Sequence, residues 1–559
     1  MSAPFLVARP ENGYLPPAMG EGRTKEPHRF DVVVVGGAIA GASTAVLLRR
    51  WLPDLSVLVL EKGTAFDWKV GESTVEISAY FLTRVLKLFD YLTREQIAKQ
   101  GFRYWFHNGN VTRLREASEV GPTQLARTPS FQIDRSHLDE HVLGLAASEG
   151  ATLWRPARAT EVLLKDEAGA SENIVVVEKE GERVEVAAGW VVDATGRAAM
   201  IARKKGMLKP VEAHPIASIW ARFRNVKDLD GVEVAGTDPA DPFVRPVIAA
   251  RRLSTNHFVG LGYWIWFIPL RGGETSVGLV WDKRLVDPQG ATPEERLRRF
   301  LGGNPLTKEL LENAEIVPGD TRFYGHLPYL NDRVAGDGWS LVGDAAGFLD
   351  PFYSPGLDQM AFSVSWTVEL IRRKRALEKD AFAKELELHN TRYDRFFRYF
   401  FGAIYQDKYH LMGDYDTMTA SFLMDTALYY LAAVIPLYRW SAERILVPPF
   451  YQDFSEVAFY PMRFYQRRLI SIAKRKLALG IYGNHNAGRR PGLVGFSLRS
   501  SVWIMLGHGL VRWAKAEALN ALTYVVKPKP MAARMPIQDR AIPKEARASG
   551  APGSPARAA

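Results

Sequence analysis

The sequence predicts an α/β fold: a Rossmann-type domain, an interwoven strand-rich region on the substrate side, and a helical C-terminal part. Three observations carry that prediction. A strand, a glycine turn, a helix and a second strand follow one another near the start of the chain. Residues 210–325 are rich in short apolar strands such as Ile216–Phe223, His257–Leu261 and Ser276–Trp281. From about 355 onward the pattern turns helical and strongly aromatic, as in Tyr393–Phe401.

The opening unit runs from Asp31 through the strand Val32–Val35 into Gly36-Gly37-Ala38-Ile39-Ala40-Gly41 and a helix to Arg50. Gly36 permits the tight turn, Gly41 permits close helix packing, and the helix N-terminus faces a pyrophosphate. A second strand, Ser56–Leu60, ends in Glu61, 25 residues after Gly36, where a carboxylate accepts hydrogen bonds from an adenosine ribose. Ala38 stands in place of the middle glycine. Its methyl narrows the backbone approach to the phosphate, so the expectation is looser binding or a shifted loop.

A chain of 559 residues with 47% apolar content fills two or three domain-sized cores. The reading divides it into an N-terminal arm over 1–28, a cofactor and substrate region over 29–370, a helical region over 371–526 and a tail over 527–559. Arm and tail are expected to be disordered. The formal charge is +10, and half of it falls in the tail, where Lys527, Lys529, Arg534, Arg540, Lys544, Arg547 and Arg557 outweigh Asp539 and Glu545. The body is therefore only mildly basic, which argues against a nucleic-acid partner. There are no cysteines, so disulfides, thiolate metal sites and cysteine nucleophiles are excluded, and no metal is implied. That absence fits a reducing cytoplasm, and the first 28 residues hold no signal-peptide apolar core.

Two further stretches bear on partners. Phe422–Tyr438 is apolar but contains Asp425 and Pro436, and it reads as a buried or interfacial helix. Arg463, Arg467, Arg468, Lys474, Arg475 and Lys476 interleave with Phe464, Tyr465, Leu469 and Ile472. That run is either a solvated helix face or a dock for an acidic carrier protein or anionic lipid. The expectation is a cytoplasmic enzyme, with contact at a membrane surface left open.

The motifs that carry chemistry lie between these limits. Trp264-Ile265-Trp266-Phe267-Ile268-Pro269 puts two indoles on one face of a strand, where they can wall a cavity from water. Trp190–Arg197 and Gly338–Gly347 each run a strand into a turn, around Asp193-Ala194-Thr195-Gly196 and Gly343-Asp344-Ala345. Phe131–Arg135 leads into a helix, with Arg135 able to neutralise phosphate. Gly71-Glu72-Ser73-Thr74 forms a turn, Lys99–Trp105 carries two cations, and Asp350–Asp358 (DPFYSPGLD) opens a helix.

Over about residues 30–370 this set resembles the flavin-dependent halogenases, a family of tryptophan-halogenase-like FAD oxidoreductases. The resemblance implies FAD, with Gly36, Ala38, Gly41, Glu61, Arg135, Asp193 and Gly196 along the cofactor and Asp344 on its ribityl chain. Gly71 and Ser73 belong to a strap between the flavin and substrate regions. Family chemistry implies that reduced FAD and oxygen give a C4a-hydroperoxide, that halide attacks it, and that hypohalous acid reaches a catalytic lysine. Lys99 takes that role, with Arg103 as a competing cation, and Ser354 is the second expected catalytic residue. Trp264 and Trp266 wall the cavity. Pro351, Ser354, Gly356 and Leu357 belong to the turn that holds halide beside the flavin, on helix N-terminal N–H groups.

Two departures count against a tryptophan substrate and weaken the anion site. Pro355 replaces a threonine and has no N–H to give, and Tyr353 replaces a glutamate that assists the lysine. The expected activity is halogenation of an electron-rich aromatic or polyene, on a free or carrier-tethered substrate. An FAD aromatic hydroxylase, a geranylgeranyl-reductase-like flavoprotein and a non-catalytic flavin-binding protein remain alternatives. A single dinucleotide fingerprint implies a separate flavin reductase.

Overall fold

The structure is a computed structural model that describes residues 27–528 and 530, except 126–127, 168–170, 239, 242, 245–249, 442–444, 446–452, 491 and 494–499. Most of the arm over 1–28 and nearly all of the tail lie outside the described residues.

β1 (His28–Val35), α1 (Ile39–Trp51) and β2 (Val57–Leu60) form the opening βαβ unit. Val32–Val35 and Val57–Leu60 are buried throughout, as strands covered on both faces must be. α1 presses Ala42, Ala45 and Val46 into that core and closes on Arg49 and Arg50, which suit the negative end of the helix dipole. Then come the short α2 (Glu76–Tyr80), β3 (Phe102–Phe106), α3 (Arg135–Ser148) and β4 (Glu182–Asp193). Asp134 caps α3 by accepting the Ser136 N–H at 2.9 Å.

Further along the chain lie β5 (Ile216–Arg224), β6 (Thr255–Gly260), β7 (Tyr263–Pro269), β8 (Thr275–Asp282) and β9 (Trp339–Leu341). They sort into two sheets. β9, β4, β1, β2 and Thr152–Trp154 lie side by side and parallel. The strand pair Arg158–Leu163 and Asn173–Lys179 adds to β4 in antiparallel fashion. The second sheet runs β5, β8, β7, β6, β3 and Ser118–Pro122. These six strands are antiparallel apart from the parallel pair β6 and β3.

Period-two alternation gives the second sheet two different faces. Tyr263, Ile265 and Phe267 pack a separate core with Trp281, Phe300 and Leu306. Trp264, Trp266 and Ile268 join the main core shared with the parallel sheet. Register carries that second face across three strands, because Trp266 pairs with His257, and His257 with Tyr104.

The helical part begins with α4 (Gly356–Ala376) and includes α5 (Tyr415–Tyr429), α6 (Asp453–Ala478) and α7 (Ser500–Val525). Gly492–Leu493 returns to pair with Ser118–Pro122 at the edge of the second sheet. Among the described residues, Tyr415–Arg439 alone is long and apolar enough to cross a membrane, and most of it is buried inside the protein. A packed helix was one of the two expectations for Phe422–Tyr438. The basic run 463–476 is not one solvated face, since Arg468 pairs with Glu517 of α7 and Lys476 with Asp414 and Asp416.

Candidate active site

The nucleotide cradle is built from backbone that tolerates no extra atom. Gly36 has φ 104°, and a Cβ there would lie 2.5 Å from the Ala194 carbonyl oxygen. On Gly41 it would lie 1.8 Å from the Gly36 oxygen, so only glycine lets α1 start this close to β1. Glu61 accepts N–H bonds from Gly37 at 2.9 Å and Gly63 at 2.8 Å, tying the second strand to the turn. Ala38 takes φ −67°, open to any residue, so the missing middle glycine strains nothing in the protein itself. No side chain caps α1, and its first turn holds no acid, as an anion there requires.

Asp344 sits in the turn after β9, beneath Gly343, where a Cβ would meet Ala40 of α1 at 3.0 Å. Burial raises its pKa, against the pull of Arg197 and Arg135. An acceptor in that setting suits a polyol hydroxyl. Arg135 is buried and bonded to Asp139 at 2.8 and 3.0 Å, with a further bond to the Val70 carbonyl at 3.2 Å. Asp193 is committed to the fold: Thr195 and the Ile201 N–H occupy both of its oxygens. Gly196, with φ 61°, faces open space, since a Cβ there meets nothing within 4 Å. The cradle and the unclaimed acceptor fit a flavin adenine dinucleotide, which Gly36, Gly41, Glu61 and Asp344 could hold.

Lys99 lies in the loop before β3, not on a helix, and is 2% exposed. Its Nζ donates to Ser73 Oγ at 2.8 Å and to the Thr74 carbonyl at 2.9 Å, 3.8 Å from the Phe102 ring centre. Burial lowers its pKa to about 7, with Glu76 and Asp358 pulling the other way. Arg103 belongs elsewhere. Alternation along β3 turns it to the opposite face, where it is buried on Glu119 and the Pro122 carbonyl.

Ser73 is the junction of the site. It accepts from Lys99 and, at 3.1 Å, from Ser354 Oγ, which leaves its own proton for Thr255 Oγ1 at 3.0 Å. The strap around it lies over Arg135: a Cβ on Gly71 would come 2.8 Å from the Arg135 guanidinium. Glu72 is buried on Arg222 at 2.6 Å.

Residues 350–358 turn sharply, with Tyr353 at φ 69° and Ser354 at φ 54°. Two successive left-handed non-glycine residues store strain, about 1–3 kcal/mol each. Partners hold them there. Asp350 pairs with His214 at 2.7 Å, and the Tyr353 hydroxyl donates to Asp425 at 3.0 Å. Asp425 is itself bonded by Lys408, Ser421 and Tyr465. Pro351 is half-buried, and Pro355 forms the N-cap of α4, which no side chain caps. A Cβ on Gly356 meets nothing within 4 Å, whereas Leu357 is buried, so there is room at the helix start beside Gly356.

Trp264 and Trp266 lie side by side on the main-core face of β7, each anchored through its indole N–H, to Tyr409 at 3.0 Å and Ser276 at 3.1 Å. Phe352 packs edge-on to Trp264 at 5.3 Å. A Cβ on Gly278 would lie 2.2 Å from the Trp266 ring, so the strand beside it must carry glycine. His257 stacks on Tyr104 at 5.0 Å and is kept neutral, its pKa lowered to about 3 by burial and then by Lys99.

The sequence reading did not include the carboxylates around Lys99. Asp358 accepts from the Ser78 N–H at 2.8 Å and the Tyr429 hydroxyl at 3.0 Å, and burial pushes its pKa up to about 7. Glu76 accepts from the Tyr430 hydroxyl at 2.6 Å. Asp358 was visible only as the end of a motif, and its partners are 71 and 280 residues away.

The fold and cradle define an FAD-dependent oxidoreductase, and residues 31–207 match the family model described as FAD dependent oxidoreductase. Within that class the chain is similar to flavin-dependent halogenases. It is 26% identical over 451 residues to flavin-dependent halogenase chlA of Dictyostelium discoideum, covering 74% of this chain and 71% of that one. It is 28% identical over 353 residues to 1H-pyrrole-2-carbonyl-[peptidyl-carrier protein] chlorinase of Pseudomonas fluorescens, covering 59% of this chain and 73% of that one. The crystal structure of halogenase PltM shares the fold, with a TM-score of 0.64 at 17% identity over 88% of this chain and 96% of that one.

Proposed function

We propose that this protein halogenates an electron-rich aromatic or polyene carbon and that Lys99 presents the halogen to it. One observation carries the reading: a buried lysine with its pKa near 7 shares Ser73 with Ser354 of the turn that opens α4. FAD, reduced by a separate flavin reductase, supplies with oxygen the oxidising equivalent that converts halide to hypohalous acid. Gly356 and Leu357 at the start of α4 offer N–H groups for the halide, and Ser354 orients the turn. Gly36, Gly41, Glu61, Arg135 and Asp344 hold the cofactor, with Ala38 and Gly196 lining its path.

At the other end of the site, the Lys99 ammonium donates to the oxygen of hypohalous acid and polarises the halogen. The substrate carbon takes the halogen, the hydroxide released from hypohalous acid takes a proton from Lys99 and leaves as water, and Asp358 accepts the ring proton and returns it to Lys99. A carboxyl near pKa 7 suits that exchange at neutral pH. Trp264 and Trp266 keep water and the substrate away from the cofactor side.

Activity is tested with FAD, a flavin reductase, NADH, oxygen and bromide. The acceptors are phenols, pyrroles and a carrier-bound aryl thioester, and products are scored by mass spectrometry. Bromination that disappears in Lys99→Met supports the proposal. Oxygen insertion that needs no halide and survives the substitution makes the protein a hydroxylase instead.

A further inference from the structure

Among the described residues, two C-terminal helices leave a broad apolar face uncovered. α7 has 26 residues and is therefore about 39 Å long. Its inner side buries Val502, Met505 and Ala516. It approaches α5 so closely that a Cβ on Gly509 would lie 2.6 Å from the Met424 side chain. Its outer side carries Trp503, Val511, Leu522 and Val525, which are 61%, 68%, 53% and 85% exposed. At about 100° per residue these four fall on one side of the helix. α6 extends the surface with exposed Tyr460 and Phe464, the latter edge-on to Trp513 at 6.0 Å. Contiguous apolar patches of this extent mark interaction surfaces.

Charge identifies the partner. The single acid of α7, Glu517, is neutralised by Arg468 at 2.8 and 2.9 Å. Arg475 lies over the Tyr524 ring at 3.4 Å. Arg467, Lys474 and Lys515 remain exposed on these two helices. The sequence then continues through 527–559, with seven basic residues against two acidic. Tryptophan and tyrosine with a basic surround are the composition that settles at a bilayer interface.

We infer that this face docks the protein on an anionic lipid bilayer, with α7 lying in the headgroup plane and the basic residues on lipid phosphates. A second copy seated there would bring cations of like sign together. The basic tail folded back over the face would do the same. A spanning role does not fit, because the inner side of α7 is packed against protein. α5 lies between this face and the site, with Phe422 on Tyr104 and Tyr429 on Asp358. A lipophilic substrate dissolved in the bilayer would therefore arrive one helix away from Lys99.

The test is flotation of the full-length, FAD-loaded protein with vesicles of phosphatidylcholine alone or mixed with phosphatidylglycerol. The expected result is recovery with the anionic vesicles only, falling at least about tenfold in 0.5 M NaCl. The triple variant Val511→Ser/Leu522→Ser/Val525→Ser lowers recovery about tenfold, while its flavin absorbance and melting temperature stay those of the parent. Equal recovery with neutral vesicles, or none with either, overturns the inference. So does a dimer, seen by light scattering, that the same three substitutions dissociate.

Discussion

Lys99→Met should make the protein more stable while abolishing halogen transfer. The unfolded chain holds the lysine proton to pH 10.5, whereas burial in the fold lowers that to about 7. Through linkage this difference costs the folded state roughly 5 kcal/mol at neutral pH. Methionine keeps the volume and removes that cost. It also removes the bonds to Ser73 and Thr74, a loss of about 2 kcal/mol for the pair. The net gain is roughly 3 kcal/mol, as an order of magnitude. Its pH dependence is the sharper signature. Between pH 7 and 10.5 the unfolded parent binds one proton more than the folded parent, so parental stability climbs with pH. The variant lacks that climb. Urea unfolding of both FAD-loaded proteins at pH 7 and pH 10 measures the gap, which should favour the variant at pH 7 and swing by roughly 4 kcal/mol to favour the parent slightly at pH 10. A gap that does not change with pH, or a variant less stable at pH 7, would show a hydrated Nζ and refute the reasoning.

Asp358→Asn removes a charge that raises the Lys99 pKa, so the Lys99 limb of the kcat/KM profile should move to lower pH. An unmoved limb separates the two groups. Gly356→Ala meets no neighbouring atom, so the fold should be kept with a gain of about 0.5–1 kcal/mol. Bromide kinetics should show a KM raised about tenfold with kcat recovered at saturating bromide. Gly278→Ala drives a methyl into Trp266 and should cost about 1–3 kcal/mol, read as a lower melting temperature with altered tryptophan fluorescence. Glu61→Gln weakens the bonds from Gly37 and Gly63, and flavin titration should show FAD affinity about tenfold lower.

Local signals made much of this architecture readable. The βαβ unit announces itself because its strand, turn, helix and acid are contiguous, and alternation in β7 puts Trp264 and Trp266 on one face whatever surrounds them. Lys99 was legible only through the motif beside it. Nothing local says that its loop is buried, because the groups that bury it come from the strap at Ser73, from Phe102 and from α4. Arg103 illustrates the reverse: only four residues on, its strand parity carries it to Glu119. Asp358, Tyr429 and Asp425 could not be assigned from spacing, since no helical or strand period links residues 70 or more apart. The basic run 463–476 also misleads as a string of charges, because the partners on α7 and α5 that consume part of it are set by tertiary packing.

The strained turn at Tyr353 and Ser354 bears on the order in which the enzyme is assembled. Ser354 is fastened to a residue 281 positions earlier, and Tyr353 to one 72 positions later. Gly36, Gly41 and Glu61 emerge from the ribosome long before Asp425 does, so a nascent chain has its nucleotide loop well before it has the outer anchor of the turn. Contacts of such long range form late. The nucleotide loop is therefore made first and the turn at Tyr353 is anchored last. A chain cut short ahead of α5 would keep the glycine loop yet lack the acid that holds Tyr353 left-handed. On the proposed function, the hazardous oxidant would then be made only by molecules whose C-terminal helices have already docked.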